Sequence, residues 1–122
     1  MKNMINWFEI PVIDFDRAKK FYEKIFDAKI EVQDMMGFKM GFFPYFEGKV
    51  SGSLVKGEGY TPNMNGTLVY LNGNPDLNTV LNRITGAGGK VLVPKTQITP
   101  EIGYFAIFTD CEGNKVALHS QQ

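Results

Sequence analysis

Two stretches of the chain repeat the same order of hydrophobic and polar positions. In each, apolar residues at i, i+3, i+4 and i+7 predict a helix that is packed on one face and polar on the other. The first stripe is Ala18, Phe21, Tyr22 and Ile25, and the second, 59 residues later, is Leu77, Val80, Leu81 and Ile84. Asp14 or Asp16 can cap the first helix, Asn74 with Pro75 can begin the second, and Gly86 can end it.

Predicted strands surround both helices in the same order. One alternating segment precedes each helix, at about 7–12 and about 67–71, and three more follow it. The later strands are predicted at about 29–34, 37–43 and 50–56 in the first half and at about 89–93, 103–109 and 115–120 in the second. This order predicts an α+β fold of two βαβββ modules, about 1–58 and 64–122, joined by a linker rich in Gly, Pro and Asn.

The two modules are expected to form one domain, 1–122, because a unit of roughly 60 residues buries too little surface to be stable alone. We expect a curled mixed sheet with the helices on its outside and a ligand cleft along its inner faces. Alternation along the strands then divides the side chains between the two faces. Those assigned to the cleft are Trp7, Glu9, Thr67, Val69, Phe105, Ile107, Ala117 and His119, whereas Leu68 and Tyr70 are assigned to the second helix.

Composition narrows the classes of function. Thirteen Lys and Arg balance thirteen Asp and Glu, which argues against a nucleic-acid partner. No apolar run approaches the ~20 residues of a membrane span, and the N-terminus lacks a signal-peptide core, so we expect a cytoplasmic protein without a membrane partner. The single cysteine, Cys111, excludes an internal disulfide and a Cys-based zinc cage. It lies in a predicted turn and is expected to be exposed, and its acidic neighbours argue against a nucleophile.

Three segments resemble a known family. Residues 7–26, WFEIPVIDFDRAKKFYEKIF, look like the opening of the vicinal oxygen chelate superfamily, which includes glyoxalase I, fosfomycin- and bleomycin-resistance proteins and extradiol dioxygenases. The similarity continues at 86–96 (GAGGKVLVPKT) and at 103–119 (GYFAIFTDCEGNKVALH), where Cys111 replaces the usual proline of the turn. The resemblance implies paired βαβββ modules, usually in a homodimer, and a divalent metal in the cleft of the enzymes.

The chain departs from this resemblance at the metal-ligand positions. Trp7 stands where metal-binding members carry His or Gln, Thr67 where they carry His, and Ala117 where they carry Glu. Indole, hydroxyl and methyl groups do not replace imidazole and carboxylate ligands. We therefore predict no metal and no other cofactor.

The predicted cleft retains two titratable side chains, Glu9 and His119. They can act together as acid and base or as ligands of a displaced metal site. Alternatively His119 is structural, and Glu9 is balanced by a neighbouring Lys or by the backbone. Trp7 either stacks on a flat ligand or fills the emptied metal site. The aromatic run at 42–46 has two interpretations as well, a core or dimer contact or a ligand lid.

Two functions fit these residues. The first is a protein that binds a small organic molecule in a metal-free cleft, which a homodimer completes or duplicates. The second is a lyase or isomerase resembling glyoxalase I, in which Glu9 is the catalytic residue, with or without a displaced metal. An interaction module whose cleft is blocked by Trp7 is a third possibility. The sequence leaves open whether the protein is an enzyme.

Overall fold

The structure, a computed structural model, describes residues 3–122 and confirms the α+β fold of two βαβββ modules. Module 1 contains β1 (Trp7–Pro11), α1 (Phe15–Phe26), β2 (Glu31–Met35), β3 (Phe38–Phe42) and β4 (Ser51–Lys56). Module 2 contains β5 (Tyr70–Asn72), α2 (Asn78–Leu81), α3 (Ile84–Ala87), β6 (Lys90–Thr99), β7 (Gly103–Thr109) and β8 (Lys115–Ser120). The strands form two four-stranded mixed sheets, ordered β1-β4-β3-β2 and β5-β8-β7-β6.

Helix α1 forms as its apolar stripe predicts. The stripe is buried in full, together with Phe15 at the start of the helix. Asp14 is the N-cap, because its side chain accepts a hydrogen bond from the backbone N–H of Arg17. Asp27 ends the helix in the left-handed conformation, at φ 49°. Neither α1 nor any other helix within residues 3–122 has the length and apolar character needed to cross a bilayer.

The second predicted helix is instead two short helices, α2 and α3. The predicted start at Asn74 and Pro75 is wrong, since α2 begins at Asn78, whose N–H bonds to the Asp76 carboxylate at 2.9 Å. The predicted end at Gly86 is also wrong, because that residue lies inside α3 and Gly88 ends it at φ 108°. The apolar stripe is nevertheless buried: Leu77, Val80, Leu81 and Ile84. Residues of low helix propensity interrupt the segment: Asn78, Thr79, Asn82, Thr85 and Gly86.

Both sheets turn their helix-bearing faces towards one shared hydrophobic core. Helix α1 of module 1 packs against α2 and α3 of module 2, and one cluster of buried residues includes all three. The rings of Phe21 in α1 and Phe108 in β7 lie 6.2 Å apart at its centre. Each helix thus covers one face of its own sheet, and these two faces point towards the shared core. The opposite faces of the two sheets consequently look away from one another.

A turn between β7 and β8, Asp110–Asn114, joins the two modules through polar contacts, and we call it the module latch. Tyr22 of α1 donates its hydroxyl to Asp110 Oδ2 at 2.7 Å, and Asn114 Nδ2 donates to the Pro11 carbonyl at 2.8 Å. Asp110 is buried and holds the turn together by accepting bonds from the backbone N–H groups of Glu112 and Asn114. The latch therefore fixes the end of β1 and the middle of α1 to module 2.

The third contact of the latch is made by Glu112 at the start of α1. Its carboxylate accepts hydrogen bonds from the N–H groups of Ile13 and Asp14 and forms an ion pair with Arg17. The side chain is only 2% exposed. Burial raises the pKa of Glu112, but the bonds from Arg17, Ile13 and Asp14 together outweigh that effect and hold the pKa below its ordinary value of 4.5. A carboxylate of module 2 thus satisfies N–H groups at the helix start of module 1.

Strand β5 has the opposite face assignment from the one predicted. Leu71 pairs with Leu118 and both are buried, so Tyr70 points away from the helices and is 52% exposed. The prediction that Tyr70 packs on the second helix is therefore wrong, and so is the placement of Val69 in the cleft, since Val69 packs against the core. Thr67 is exposed and precedes the strand. Apolar residues occupy four consecutive positions here, 68–71, so alternation alone does not distinguish the two faces.

Candidate functional site

The sheet of module 1 presents an aromatic face on the side away from α1. Strand register places Trp7 and Glu9 of β1 beside Ser51 and Ser53 of β4, and Ser53 beside Phe42 of β3. Because alternate residues of a strand share a face, these side chains form one surface. We call it the open face of module 1, and it comprises Trp7, Glu9, Phe38, Met40, Phe42, Ser51 and Ser53.

Trp7 is held in position on the open face without being buried. Its indole Nε1 donates to the hydroxyl of the buried Ser53 at 3.3 Å. The ring lies 5.9 Å from Phe42 and 6.4 Å from Tyr45, and the residue remains 37% exposed. A groove of about 560 Å³ adjoins it, lined by Asn3, Asn6, Trp7, Tyr45, Gly48, Lys49 and Val50. The indole therefore forms one wall of a groove with room beside it.

Glu9 lies two residues further along β1, and its carboxylate is bound by the linker between the modules. Tyr60 donates its hydroxyl to Glu9 Oε1 at 2.6 Å, and the Tyr60 ring packs edge-on against Phe38 with the centroids 5.5 Å apart. The hydrogen bond to Glu9 is the main cause that raises the pKa of Tyr60 above its ordinary value of 10.0. Within residues 3–122, no Lys, Arg or His nitrogen lies within 4.0 Å of the Glu9 carboxylate. The partner of Glu9 is a neutral tyrosine, which the sequence analysis did not single out.

His119 lies on the other sheet, together with the remaining predicted cleft residues. Its Nε2 is 2.6 Å from the backbone carbonyl of Ile102. Phe105 pairs with His119 and Ile107 with Ala117, so these four residues share the face of module 2 that points away from the core. Ala117 is buried there, whereas Phe105 and Ile107 are half-buried. His119 and Glu9 therefore occupy faces that look away from each other, and one chain does not bring them together as an acid–base pair.

The three positions that the resemblance associates with metal ligands are divided between the modules. Trp7 belongs to the open face of module 1, Ala117 to β8 of module 2, and Thr67 to the segment before β5. Among residues 3–122, no group of three His, Cys, Asp or Glu side chains converges on a common point.

Cys111 of the module latch is half-buried, which corrects the expectation that it is exposed. Burial is the main cause that raises the pKa of its thiol to about 11, and the nearby charge of Asp110 adds to it. A thiol of this kind is almost entirely protonated near neutral pH and is a poor nucleophile.

Comparison with known proteins gives matches over almost the whole chain. The family model of the Glyoxalase/Bleomycin resistance protein/Dioxygenase superfamily matches residues 4–118. A glyoxylase-like domain-containing protein of Didymella fabae is 29% identical over 126 residues, covering 97% of this chain and 94% of that protein.

Two solved structures illustrate the range of proteins that share the fold. TnmS3, an antibiotic binding protein from Streptomyces sp. CB03234, has a TM-score of 0.65 and 22% identity, covering 100% of this chain and 99% of that one. The trypanothione-dependent glyoxalase I of Leishmania major has a TM-score of 0.68 and 17% identity, covering 98% of this chain and 88% of that one. At these identities the similarity shows the fold alone.

Proposed function

The chain belongs to the Glyoxalase/Bleomycin resistance protein/Dioxygenase superfamily, and from that premise we propose that it binds a small organic molecule on the open face of module 1 without a metal ion. The observation that carries the proposal is the groove beside Trp7, with the indole as one wall. Concave sites lined by aromatic side chains and a few polar groups are typical of small-molecule binding.

The chemistry of the donor set supports binding without a metal. Trp7 offers an indole N–H that already donates to Ser53, and Ala117 offers a methyl group. Thr67 offers only a hydroxyl, and it lies in the segment before β5, outside the sheet that carries Trp7. A divalent cation of the kind found in this family requires three or four N, S or O ligands at about 2 Å. These residues do not fit such an ion, and the proposal assigns no step to one.

Aromatic contact is the main source of affinity in this proposal. A flat ligand in the groove can stack on the exposed part of Trp7 while Tyr45, 59% exposed, contacts its other side. Tyr45 belongs to the loop between β3 and β4, and this position favours the ligand-lid interpretation for Tyr45, whereas Phe43 of the same run packs against the core. TnmS3, an antibiotic binding protein that shares the fold, supports a binding function by analogy.

A homodimer is part of the proposal. The outward faces of both modules are open in one chain, so a second copy that covers the open face of module 1 can enclose the ligand. The cytoplasmic location inferred from the sequence remains a prediction.

The test uses the fact that Trp7 is the only tryptophan of the chain. Fluorescence titration and thermal unfolding with a panel of aromatic compounds and antibiotics, in the presence of EDTA, should yield at least one ligand that changes the Trp7 emission and raises the melting temperature. Trp7→Ala should abolish that rise. Phe46→Ala is the matched control, since Phe46 is 70% exposed and lies outside the groove lining. A protein that responds to divalent ions and to no organic compound would refute the proposal.

The second candidate function is a lyase or isomerase in which Glu9 transfers a proton of a small carbonyl compound. The observation that favours it is the exposed Glu9 carboxylate, which lies on the open face two residues along β1 from Trp7. In that case Glu9→Gln would abolish turnover while ligand binding, measured by Trp7 fluorescence, persists. If the unmodified protein binds ligands but turns none of them over, the enzymatic function is refuted and small-molecule binding is the function that stands.

A further inference from the structure

We propose that the molecule recognised by the open face is an organic cation, with its positive group between the Glu9 carboxylate and the surrounding aromatic rings. This inference rests on the proposed binding function and adds the charge class of the ligand. It starts from Glu9, the acidic side chain at the centre of the open face; Glu31 of β2, which pairs with Phe42, adds a second carboxylate at the edge of the same sheet face.

The charge of Glu9 is not compensated within the described chain. Its Oε1 accepts one bond, from the neutral Tyr60, and its Oε2 accepts none from residues 3–122. The nearest lysines of β3 and β4 do not change this. Lys39 is on the opposite face of the sheet, where its Nζ lies 5.0 Å from the ring centroid of Phe15, and Lys56 pairs with Lys39 across the strands. A carboxylate without a cationic neighbour attracts a positive group of a ligand.

Aromatic rings flank this carboxylate on both sides. Trp7 and Phe42 lie towards one end of the open face, and Phe38 and Tyr60 lie towards the other. The face of an aromatic ring attracts cations through its quadrupole, and tryptophan does so most strongly. Rings together with one carboxylate are therefore suited to an ammonium or a related organic cation.

Among residues 3–122, Lys49 is the one basic residue that lines the groove. It lies in the loop between β3 and β4, beside Trp7 and Tyr45, and not next to Glu9. It favours an anionic group at that end of the groove, so the experiment below includes an anionic probe and a Lys49 variant.

Three soluble compounds of nearly equal shape separate charge from size: choline, the uncharged 3,3-dimethylbutan-1-ol and the anionic 3,3-dimethylbutyrate. Each is titrated into the full chain while Trp7 emission is recorded at low ionic strength. Choline should bind about tenfold more tightly than the alcohol. Its affinity should fall with added salt, whereas that of the alcohol should not change.

Glu9→Gln should remove the preference for choline and leave the affinity for the alcohol within about twofold, since a neutral ligand gains nothing from the lost charge. Glu101→Gln is the matched control, because it removes an exposed carboxylate from module 2 and should leave all three affinities unchanged.

Four outcomes would overturn the inference. The first is that the alcohol and choline bind equally well, and the second is that none of the three compounds binds. The third is that the anion binds best and that Lys49→Gln abolishes its binding. In the fourth, Glu9→Gln weakens self-association, measured by sedimentation, instead of choline binding, which means that a second copy supplies the cation. A neutral aromatic ligand found with the larger panel would sustain the binding function even if the charge preference is refuted.

Discussion

Replacing Tyr22 by Phe removes one hydroxyl from the interior and tests how strongly the module latch joins the two modules. The Tyr22 ring stays, with its edge-on contacts to Phe21 at 4.9 Å and to Phe43 at 5.5 Å, so packing is preserved. What is lost is the 2.7 Å hydrogen bond to Asp110. A bond to a charged acceptor contributes roughly 1.5–3 kcal/mol.

The lower half of this range applies, because the Asp110 carboxylate keeps three other donors. They are the backbone N–H groups of Glu112 and Asn114 and the side-chain amide of Asn114 at 3.0 Å. We expect Tyr22→Phe to lower the free energy of unfolding by about 2 kcal/mol, with an unchanged dependence on denaturant. Urea unfolding followed by circular dichroism measures both quantities.

Tyr70→Phe is the matched control, because Tyr70 is half exposed and its hydroxyl lies outside the core, and it should change stability by less than about 0.5 kcal/mol. A loss below about 0.5 kcal/mol for Tyr22→Phe as well would refute the role assigned to this bond.

Alkaline pH adds a second signature of Tyr22. Burial is the main cause that raises its pKa well above the ordinary 10.0, and the charge of Asp110 adds to it. The unfolded chain therefore ionises first, and this contribution to stability is complete below pH 10.0 and is lost as the pH rises towards the folded-state pKa. The Phe variant lacks that loss, so the difference between the two proteins should narrow above pH 10.0. A difference that widens there would contradict the assignment.

Three further measurements test other contacts. Glu112→Gln should lower the free energy of unfolding by about 1–2 kcal/mol at neutral pH. Because the folded-state pKa of Glu112 is below 4.5, the stability difference between the two proteins should disappear as the pH falls through that folded-state pKa. A stability difference that does not depend on pH would refute the role assigned to the Glu112 carboxylate. Gly103→Ala should lower the free energy of urea unfolding by about 2 kcal/mol more than Gly113→Ala does. Both glycines have positive φ, but only at position 103 would a Cβ lie 2.3 Å from the carbonyl oxygen of Ser120. Equal losses for the two variants would contradict this close approach. Cys111 should react with iodoacetamide at pH 8 about a hundredfold more slowly in the native protein than in urea. The reason is that the pKa of its thiol is about 11 in the folded protein, compared with an ordinary value of 9.0. Similar rates in the two states would contradict the burial of this thiol.

The elements that the sequence predicts well are those in which hydrophobic pattern and local propensity agree. Helix α1 has both a regular stripe and a capping Asp14, and its boundaries follow from them. In the second helical segment the stripe correctly predicts burial, but weak helix formers break the helix into α2 and α3. In β5 the apolar run 68–71 leaves the face ambiguous, and only pairing with Leu118 resolves it.

The candidate site was predictable in part for the same reason. Strand β1 alternates cleanly, so Trp7 and Glu9 could be placed on the face opposite Ile10 from the sequence. Tyr60 could not, because its contact with Glu9 joins residues 51 positions apart through a linker without regular structure. The latch turn was recognisable by its Asp and Gly residues as a turn, but its contacts with Pro11 and Tyr22 depend on how the modules pack.

The connections between the last two strands of each module have diverged in a way that bears on how this protein can acquire new specificity. In module 2 the connection is a short, partly buried turn whose residues contact the other module. In module 1 it is the longer segment 43–50, which carries Tyr45 and Phe46 into solvent. The two modules thus use the same connection differently: in module 2 it stabilises the fold, and in module 1 it contacts the proposed ligand. Residues 45–49 can therefore vary to admit different molecules without weakening the module latch.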